Sequence, residues 1–396
     1  MFIALLQTIL VMALLVLAIP VAVLLVQVLA ARFATARATP LSSTRPRIAV
    51  LIPAHNEEGG ITEVVAGVRE QLVEGDRILV VADNCSDATA RLAREAGAEV
   101  TERFHEQLRG KGYALDHGVR QLALDPPEVL VIVDADCYLG VDALDKISRA
   151  CVHSARPVQA LYLMHASEDA GPMRRIAEFA WIVKNHVRAL GFQRLAQPCQ
   201  LMGTGMAFGW EHIRKVDLAT GHIVEDMKLG VDSATAGQPP LFCPEALVYS
   251  FFPISESGVS TQRTRWEHGH LSVIQSYVPR LLLQSVKLRH AALAAMALDL
   301  SVPPLALLVM LVCVTWGLSL IVAVILGVVL PLGLASVLMI ALAAAVLLAW
   351  SGFARGVINL GQLLGAFVYV ARKVPLYFKF LFNRQVEWVR SKRDSE

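Results

Sequence analysis

Long apolar stretches at both ends of the chain enclose a middle region in which strand-like and helix-like patterns alternate. Residues 1–31 contain no charged side chain, and about 20 apolar residues are enough for a helix to cross a bilayer. A cleaved secretion signal would instead have a basic start and an apolar core of about 7–15 residues. We therefore predict that 1–31 is a transmembrane anchor. Arg32 and the arginines after it favour a cytosolic location for the chain that follows.

The second apolar stretch lies near the C-terminal end and is long enough for two crossings. Residues 300–354 carry no charge, which predicts a hairpin with helices near 296–326 and 332–352. The Pro303-Pro304 pair falls in the first of these and should kink or delay it. Because the hairpin has no ionisable group of the kind that lines a transport path, transport is disfavoured as the main function.

The basic C-terminal segment is interpreted as interfacial helices and a cytosolic tail. Its apolar part, 356–371, could be counted as a further span, but the basic residues after it would then lie outside, against the positive-inside tendency. Basic and aromatic side chains together are typical of helices at the membrane surface, in contact with lipids. The predicted organisation is an anchor (1–31), a cytosolic domain (45–290), a transmembrane hairpin (291–352) and an interfacial segment (353–396).

The middle region has the pattern of an α/β domain. Short apolar runs typical of buried strands occur at 48–53, 78–82, 98–101 and 129–133. Helical spacing of apolar residues predicts helices over 61–72 and 114–122, and Ser86 is the expected N-cap of another. Strands that alternate with helices favour a doubly wound, mostly parallel sheet.

Polar and acidic side chains follow three of these strands. They are Asn56 and Glu57, then Asp83, then the pair Asp134 and Asp136. In doubly wound sheets the ligand lies at the carboxyl ends of the strands. Two carboxylates one residue apart can bind a hard cation such as Mn²⁺ or Mg²⁺, which would neutralise a diphosphate. Taken alone, Asp83 could be a turn residue, and the pair Asp134 and Asp136 could be a helix cap. Taken together, the polar clusters at the three strand ends favour one ligand site.

Composition and missing motifs disfavour several other kinds of protein. There is no GxGxxG after the first strand and no GxxxxGK[ST], so dinucleotide and P-loop sites are disfavoured. The net charge of +2 and the lack of a basic run with aromatics argue against nucleic acid as a partner. The six cysteines include no CxxC pair and indicate reduced cytosolic thiols.

Two further motifs lie in the second half of the chain. Glu225 and Asp226 begin a predicted helix. Gln262, Arg265 and Trp266 share one face of another, because they are spaced i, i+3, i+4. An arginine can bind phosphate oxygens through two hydrogen bonds, and a tryptophan offers a flat face to a sugar or a lipid headgroup. Packing of Arg and Trp near the bilayer is the alternative interpretation.

The order of these motifs resembles family-2 glycosyltransferases of the GT-A fold. The likeness is greatest to the membrane-integrated branch that includes cellulose, chitin and hyaluronan synthases and ceramide glucosyltransferase. It extends over about residues 47–285. The residues that carry it are Pro53-Ala54-His55-Asn56-Glu57, Asp83, Gly110-Lys111-Gly112, Asp134-Ala135-Asp136, Glu225-Asp226 and Gln262-Arg263-Thr264-Arg265-Trp266.

The resemblance implies a role for each matching position. Donor binding is implied for Pro53, Asn56, Glu57, Asp83, Lys111 and Asp134. Metal binding is implied for Asp136 with Asp134, and the role of catalytic base for Asp226. Gating of the diphosphate and the acceptor is implied for Glu225, Gln262, Arg263, Arg265 and Trp266.

The resulting hypothesis is an inverting, metal-dependent glycosyltransferase in the inner membrane, with its catalytic domain in the cytosol. It would transfer a sugar from a nucleotide sugar, by resemblance a uridine diphosphate sugar, to a lipid-linked or saccharide acceptor in envelope or exopolysaccharide synthesis. Polymer synthases build a channel from more helices than three, so a processive synthase acting as an oligomer is the second hypothesis. A nucleotidyltransferase would not need Asp226 or the Gln262–Trp266 cluster. An inactive scaffold is disfavoured because every expected acidic position is filled.

Overall fold

A computed structural model describes residues 1–222, 224–253 and 256–382, without the side chains of 256–263, 378–379 and 381–382. These residues form two compact units, and the chain passes between them more than once. The first, called the sheet unit, comprises Arg37–Ser167 and Gln197–Gly269. The second, called the helical unit, comprises Met1–Ala36, Glu168–Ala196 and the chain from His270 onward.

The described residues contain strands and helices that are numbered here in chain order. The strands are β1 (Ile48–Ala54), β2 (Arg77–Asp83), β3 (Glu99–Arg103), β4 (Val129–Ile132), β5 (Tyr138–Leu139), β6 (Val158–His165), β7 (Met206–Gly209) and β8 (Leu241–Phe251). The helices are α1 (Phe2–Phe33), α2 (Ile61–Arg69), α3 (Thr89–Glu95), α4 (Lys111–Leu122), α5 (Ala143–Ser154), α6 (Pro172–Ile182), α7 (Ala189–Arg194), α8 (Trp210–Ile213), α9 (Glu225–Thr235), α10 (Glu256–Leu288), α11 (Ala291–Ser301), α12 (Leu305–Leu326), α13 (Leu330–Phe353), α14 (Leu360–Leu364), α15 (Ala366–Arg372) and α16 (Val374–Phe382). A π-helical segment, Val183–Arg188, joins α6 to α7.

The sheet unit is built on one mixed sheet of order β3-β2-β1-β4-β7-β6-β8-β5. Strands β3, β2, β1 and β4 are parallel neighbours, so their carboxyl ends lie along one edge. Strand β7 is antiparallel to β4 and β6, and β5 is antiparallel to β8. The continuous apolar runs of β1 and β4 are buried because both faces of the sheet are covered. This confirms the predicted α/β class with a mostly parallel sheet.

The four predicted strands are present, with ends displaced by at most two residues. The prediction that Ser86 is an N-cap is wrong, because α3 begins at Thr89. The carboxylate of Asp87 accepts the backbone N–H of Thr89 at 3.1 Å and its hydroxyl at 2.6 Å, while the Ser86 N–H donates to Asn56 instead. A charged carboxylate is a stronger hydrogen-bond acceptor than a hydroxyl group. Asp87, and not Ser86, therefore accepts the N–H group at the start of α3.

Three helices of the helical unit are long and apolar enough to cross a membrane: α1, α12 and α13. They confirm that one long apolar helix lies at the N-terminal end and two lie in the C-terminal part, and they indicate a membrane protein. The predicted start of the second span near residue 296 is wrong, because α11 ends at Ser301 and α12 begins only at Leu305. The Pro303-Pro304 pair separates the two helices, since proline lacks the N–H that an intervening turn would need. The apolar stretch 356–371 forms the short helices α14 and α15.

A buried polar cluster joins three elements of the helical unit. The guanidinium of Arg188 donates to Asp299 Oδ1 at 2.8 Å and to Gln27 Oε1 at 3.1 Å. The amide of Gln27 donates to the same aspartate oxygen at 2.7 Å. All three side chains are buried, and they connect α1, the π-helical segment and α11. Each buried polar group thereby obtains a partner, which an apolar environment requires.

Candidate active site

Side chains from three separate segments of the sheet unit converge around Lys111, the first residue of α4. Its ammonium forms an ion pair with Asp134, which follows β4. The same Nζ lies 4.0 Å from Glu225 Oε1 at the start of α9, and it donates to the carbonyl oxygen of Gly203 at 2.8 Å. The structure thus brings together residues that the sequence places more than 100 positions apart.

The loop 203–205 supports this cluster from the side of the Gly203 carbonyl group. The hydroxyl of Thr204 accepts the backbone N–H of Asp134 at 3.0 Å, which fixes the start of the acidic pair. Gly203 has φ +94°, and a Cβ there would lie 3.5 Å from Asp226 Oδ2. A side chain at this position would therefore be strained by the backbone conformation, and its Cβ would lie in van der Waals contact with the candidate base.

The electrostatics of the cluster follow from burial and from an excess of carboxylates. Burial alone would lower the pKa of Lys111, but Asp134, Glu225 and Asp226 outweigh it and raise that pKa. Burial raises the pKa of Asp134; Lys111 opposes the shift, and Asp136 and Asp226 add to it. Three carboxylates, those of Asp134, Glu225 and Asp226, thus share the field of one half-buried lysine, an arrangement suited to a further cation.

Glu225 and Asp226 occupy the first turn of α9, where the partial positive charge of a helix N-terminus favours carboxylates. Burial nevertheless raises the pKa of Glu225 to about 7; Lys111 opposes this shift and Asp226 adds to it. The charge of Arg265 on α10 also lowers that pKa, so this arginine lies within electrostatic reach of the cluster. Gly269 of α10 packs directly against Val224, which precedes the pair.

The acidic pair after β4 has the donors needed for a divalent cation. One carboxylate oxygen from each of Asp134 and Asp136 and the sulfur of Cys137 all lie within 4.8 Å of one another. The two carboxylates are half-buried, whereas Cys137 is 1% exposed. Burial raises the pKa of the Cys137 thiol well above its usual range, and Asp136 and Asp134 add to this shift. The hard oxygen donors of the aspartates therefore fit Mn²⁺ or Mg²⁺.

The ends of β1 and β2 form a second polar cluster. Asn56 and Asn84 both have φ +53°, the left-handed conformation that asparagine tolerates, so each strand turns sharply there. The backbone N–H of Glu57 donates to Thr89 at 2.7 Å. Asp83 is buried and forms an ion pair of 2.5 Å with Arg103, a partner that the sequence analysis missed. Pro53, in β1, is half-buried beside β2.

Tyr113 connects this second cluster to the first. The guanidinium of Arg103 lies 5.5 Å from the ring centre of Tyr113, which is two residues after Lys111 on α4. The edge of the Tyr113 ring also approaches the loop that precedes α9, since a Cβ on Gly221 would lie 3.7 Å from Cε2 of that ring. The two polar clusters therefore belong to one continuous surface of the sheet unit.

The predicted gating residues are only partly described. Arg265 and Trp266 are half-buried on α10. The side chains of Gln262 and Arg263 lie outside the described residues, so their placement stays a prediction. The roles of all the site residues are likewise predictions, whereas the grouping of Lys111 with Asp134 and Glu225 is observed.

A family model described as "Glycosyltransferase like family 2" matches residues 46–269 of this chain. Those residues contain every strand of the sheet and both polar clusters. More than half of the chain is covered by the match.

Several curated proteins with similar sequences are named as glycosyltransferases or hexosyltransferases. A 4,4'-diaponeurosporenoate glycosyltransferase from Staphylococcus haemolyticus is 26% identical over 251 residues, which are 58% of this chain and 62% of that protein. The "Low-salt glycan biosynthesis hexosyltransferase Agl6" of Haloferax volcanii is 33% identical over 110 residues, which are 27% of this chain and 25% of that protein. The chain thus spans less than two thirds of the length of these relatives.

Among solved structures, a mannosyltransferase from Pyrobaculum calidifontis in complex with GDP-Man and Mn²⁺ is similar in fold. The alignment has a TM-score of 0.51 and 16% sequence identity, and it covers 93% of this chain and 100% of that one. At this identity the likeness supports the fold, of GT-A type, and nothing finer.

Proposed function

Because the chain belongs to the family described as glycosyltransferase like family 2, we propose that it is an inverting, metal-dependent hexosyltransferase that uses a nucleotide sugar. The proposed donor is a uridine diphosphate sugar, and the proposed acceptor is lipid-linked or lies close to the membrane. The observation that supports this most directly is the convergence of Lys111, Asp134, Glu225 and Asp226 at one edge of the sheet.

The proposed reaction is a single displacement at the anomeric carbon of the donor sugar. Asp226 accepts the proton of an acceptor hydroxyl, whose oxygen forms the new bond to that carbon. The bond from the same carbon to the nucleoside diphosphate breaks, and the diphosphate leaves with the bonding electron pair. Attack opposite the leaving group inverts the configuration, so an α-linked donor gives a β-linked product. A positioned base contributes about 10²–10⁴-fold in rate.

Charge neutralisation of the diphosphate is assigned to Lys111 and to a divalent cation. Lys111 stays protonated because its carboxylate neighbours raise its pKa, and it can donate to phosphate oxygens. Asp134 and Asp136 would hold Mn²⁺ or Mg²⁺, which when bound supplies Lewis-acid stabilisation of the developing negative charge. Arg265 and Trp266 are proposed to contact the diphosphate and the acceptor.

The membrane location of the acceptor is inferred from the three spanning helices carried by the same chain. An enzyme anchored in the inner membrane with its sheet unit in the cytosol meets soluble nucleotide sugars and lipid-linked acceptors together. Envelope or exopolysaccharide assembly is the proposed setting, in line with the glycan named for the Haloferax relative.

The test is release of nucleoside diphosphate by the purified full chain with Mn²⁺ or Mg²⁺, across a panel of sugar nucleotides and with native membrane lipids. Release should require one donor, the metal and Asp226. The Asp226→Asn variant should bind the donor normally but lose at least about 10²-fold in transfer, as expected for loss of a general base. Asp136→Ala should instead weaken nucleotide binding only when metal is present.

Asp116→Asn is a matched control, because Asp116 pairs with Arg120 on the surface of α4. It should keep both donor binding and transfer. Normal turnover by Asp226→Asn would refute the assignment of the base. Long polymeric products would favour the processive synthase, and short products the single transfer.

A further inference from the structure

An aromatic patch lies on the sheet unit beyond the acidic pair. It consists of Tyr138 on β5, His165 at the end of β6, and Tyr249 and Phe251 on β8. The ring centres of Tyr138 and Tyr249 are 5.6 Å apart in a stacked arrangement, and Phe251 meets these tyrosines edge-on at 6.1 and 6.0 Å. The imidazole of His165 lies 6.0 Å from Tyr249 and 6.4 Å from Phe251. The four rings therefore form one continuous surface.

Strand register places these rings on one face of the sheet. Tyr249 and Phe251 are two residues apart on β8, so their side chains project from the same side, and Ser250 between them projects from the other side and is buried. Their strand partners are Tyr138 and His165 respectively. Phe251 is 57% exposed, and the other three rings are half-buried. The patch is thus open to solvent, and a contiguous exposed apolar surface is typical of a binding site.

The patch lies at the same edge of the sheet as the candidate active site. Strands β4 and β6 both run antiparallel to β7, and β8 runs parallel to β6. The carboxyl ends of β4, β6 and β8 therefore point the same way. Asp136 follows β4, and Tyr138 comes two residues later, within about 7 Å along the chain. A molecule in contact with the patch can consequently reach the acidic pair.

The polar groups beside the rings indicate what kind of molecule fits. The Tyr138 hydroxyl donates to Glu63 Oε2 at 3.3 Å, and His165 adds an imidazole. Flat rings with polar groups at their edges suit a sugar, which presents C–H groups on its faces and hydroxyl groups around its rim. The carboxylates of Glu63 and Asp136 can accept hydrogen bonds from such hydroxyls. The same carboxylates repel a phosphate group or an anionic lipid surface.

We propose that the aromatic patch binds a neutral sugar ring of the acceptor. This inference rests on the proposed function and narrows its acceptor to a molecule that already carries a sugar, as opposed to a bare lipid alcohol or lipid phosphate. An earlier glycosyl transfer must then supply this acceptor. Because the donor also contains a sugar, the two sources of a sugar ring have to be separated by experiment.

The first measurement is saturation-transfer NMR on the full chain in phospholipid nanodiscs, which avoid detergents with sugar headgroups. The probes are the methyl glycosides of glucose, galactose, mannose and N-acetylglucosamine. At least one glycoside should bind, and Phe251→Ala should raise its dissociation constant about fivefold, as expected for loss of one aromatic contact. Phe251→Tyr keeps a flat ring and should bind that glycoside as the wild-type protein does. No bound glycoside, or equal binding by Phe251→Ala, would overturn the inference.

Phe104→Ala is the matched control, because Phe104 is 66% exposed and follows β3, outside the patch. It should leave glycoside binding unchanged. Dodecyl phosphate serves as the probe for a bare lipid phosphate. If Phe251→Ala weakened the binding of dodecyl phosphate and not that of the glycosides, the patch would bind lipid and the inference would be wrong.

The second measurement separates the acceptor from the donor. The affinities of the sugar nucleotides, measured by calorimetry with Mg²⁺, should be the same for Phe251→Ala and the wild-type protein. Weaker donor binding by Phe251→Ala would assign the patch to the donor sugar and overturn the inference. Donor turnover without any glycoside binding would overturn this inference alone, whereas a wild-type chain that released no diphosphate from any donor would overturn the proposed function.

Discussion

At the scale of single residues, the site is a balance between several carboxylates and one half-buried lysine. The sequence was sufficient to predict the acidic members, because carboxylates directly after apolar strands face the edge where ligands bind. It was not sufficient for Arg103 or Gly203, whose importance comes from partners 20 or more positions away. Such pairings depend on strand register, which single-residue patterns do not encode.

Glu225 gives a testable pH dependence of stability in the metal-free protein. Its pKa is raised from 4.5 to about 7 in the folded chain, chiefly by burial. Between these values the folded state holds a proton that the unfolded state has lost, so the free energy of unfolding falls as the pH rises from about 4.5 to 7. Glu225→Gln should remove this fall, which is on the order of 3 kcal/mol for a shift from 4.5 to about 7 at about 1.4 kcal/mol per pKa unit.

The measurement is the free energy of unfolding in detergent with EDTA, at several pH values between about 4 and 8. The variant should be more stable than the wild-type protein at pH 8 and equal to it near pH 4, below the pKa of the unfolded chain. Glu211→Gln, which changes a surface glutamate paired with Arg214, is the control and should keep the wild-type pH profile. A wild-type profile in Glu225→Gln as well would contradict the assignment of the titrating group.

At the scale of elements, the spans and the first strands were predictable, because long uncharged stretches and continuous apolar runs have few alternatives. The second half of the sheet was not assigned from the sequence. Strands β6, β7 and β8 pair across long separations and in mixed directions. The helices of Glu168–Ala196 also gave no sign that they belong with the membrane spans and not with the sheet.

The buried cluster of Gln27, Arg188 and Asp299 predicts how these elements of the helical unit are held together. Arg188→Met leaves the carboxylate of Asp299 buried without its cation, and breaking such a pair costs about 3–5 kcal/mol. The double change Arg188→Met with Asp299→Leu removes both charges and should recover most of the loss. Thermal unfolding of the two variants in the same detergent tests this expectation. A double variant no more stable than Arg188→Met alone would contradict it.

At the scale of the whole molecule, the segment matched by the family model is interrupted by residues that pack in the helical unit. Glu168–Ala196 leaves the sheet unit after β6 and returns before β7. Its side chains Ile176, Phe179 and Val187 are buried. A truncated chain of residues 37–290 would lack α1, which packs on the π-helical segment and on α7. We expect that chain to aggregate without detergent, because it would expose apolar surface that the complete protein covers.

The proposed membrane topology requires the turn between α12 and α13 to lie outside the cytosol, since three crossings alternate sides. Alkaline phosphatase inserted after Val328, in the turn that separates Leu326 from Leu330, should be active in a bacterial host, because it folds only outside the cytosol. Green fluorescent protein inserted there should be dark. The same reporters inserted after Leu124, an exposed residue of the sheet unit, should give the opposite result.

Two outcomes would contradict this topology. If the reporters showed a cytosolic location at both positions, α12 would not cross the membrane as proposed. If they showed an external location at Leu124, the sheet unit would be separated from cytosolic nucleotide sugars. The first result would contradict the topology alone, whereas the second would also contradict the proposed function, because the donor and the catalytic residues must share one compartment.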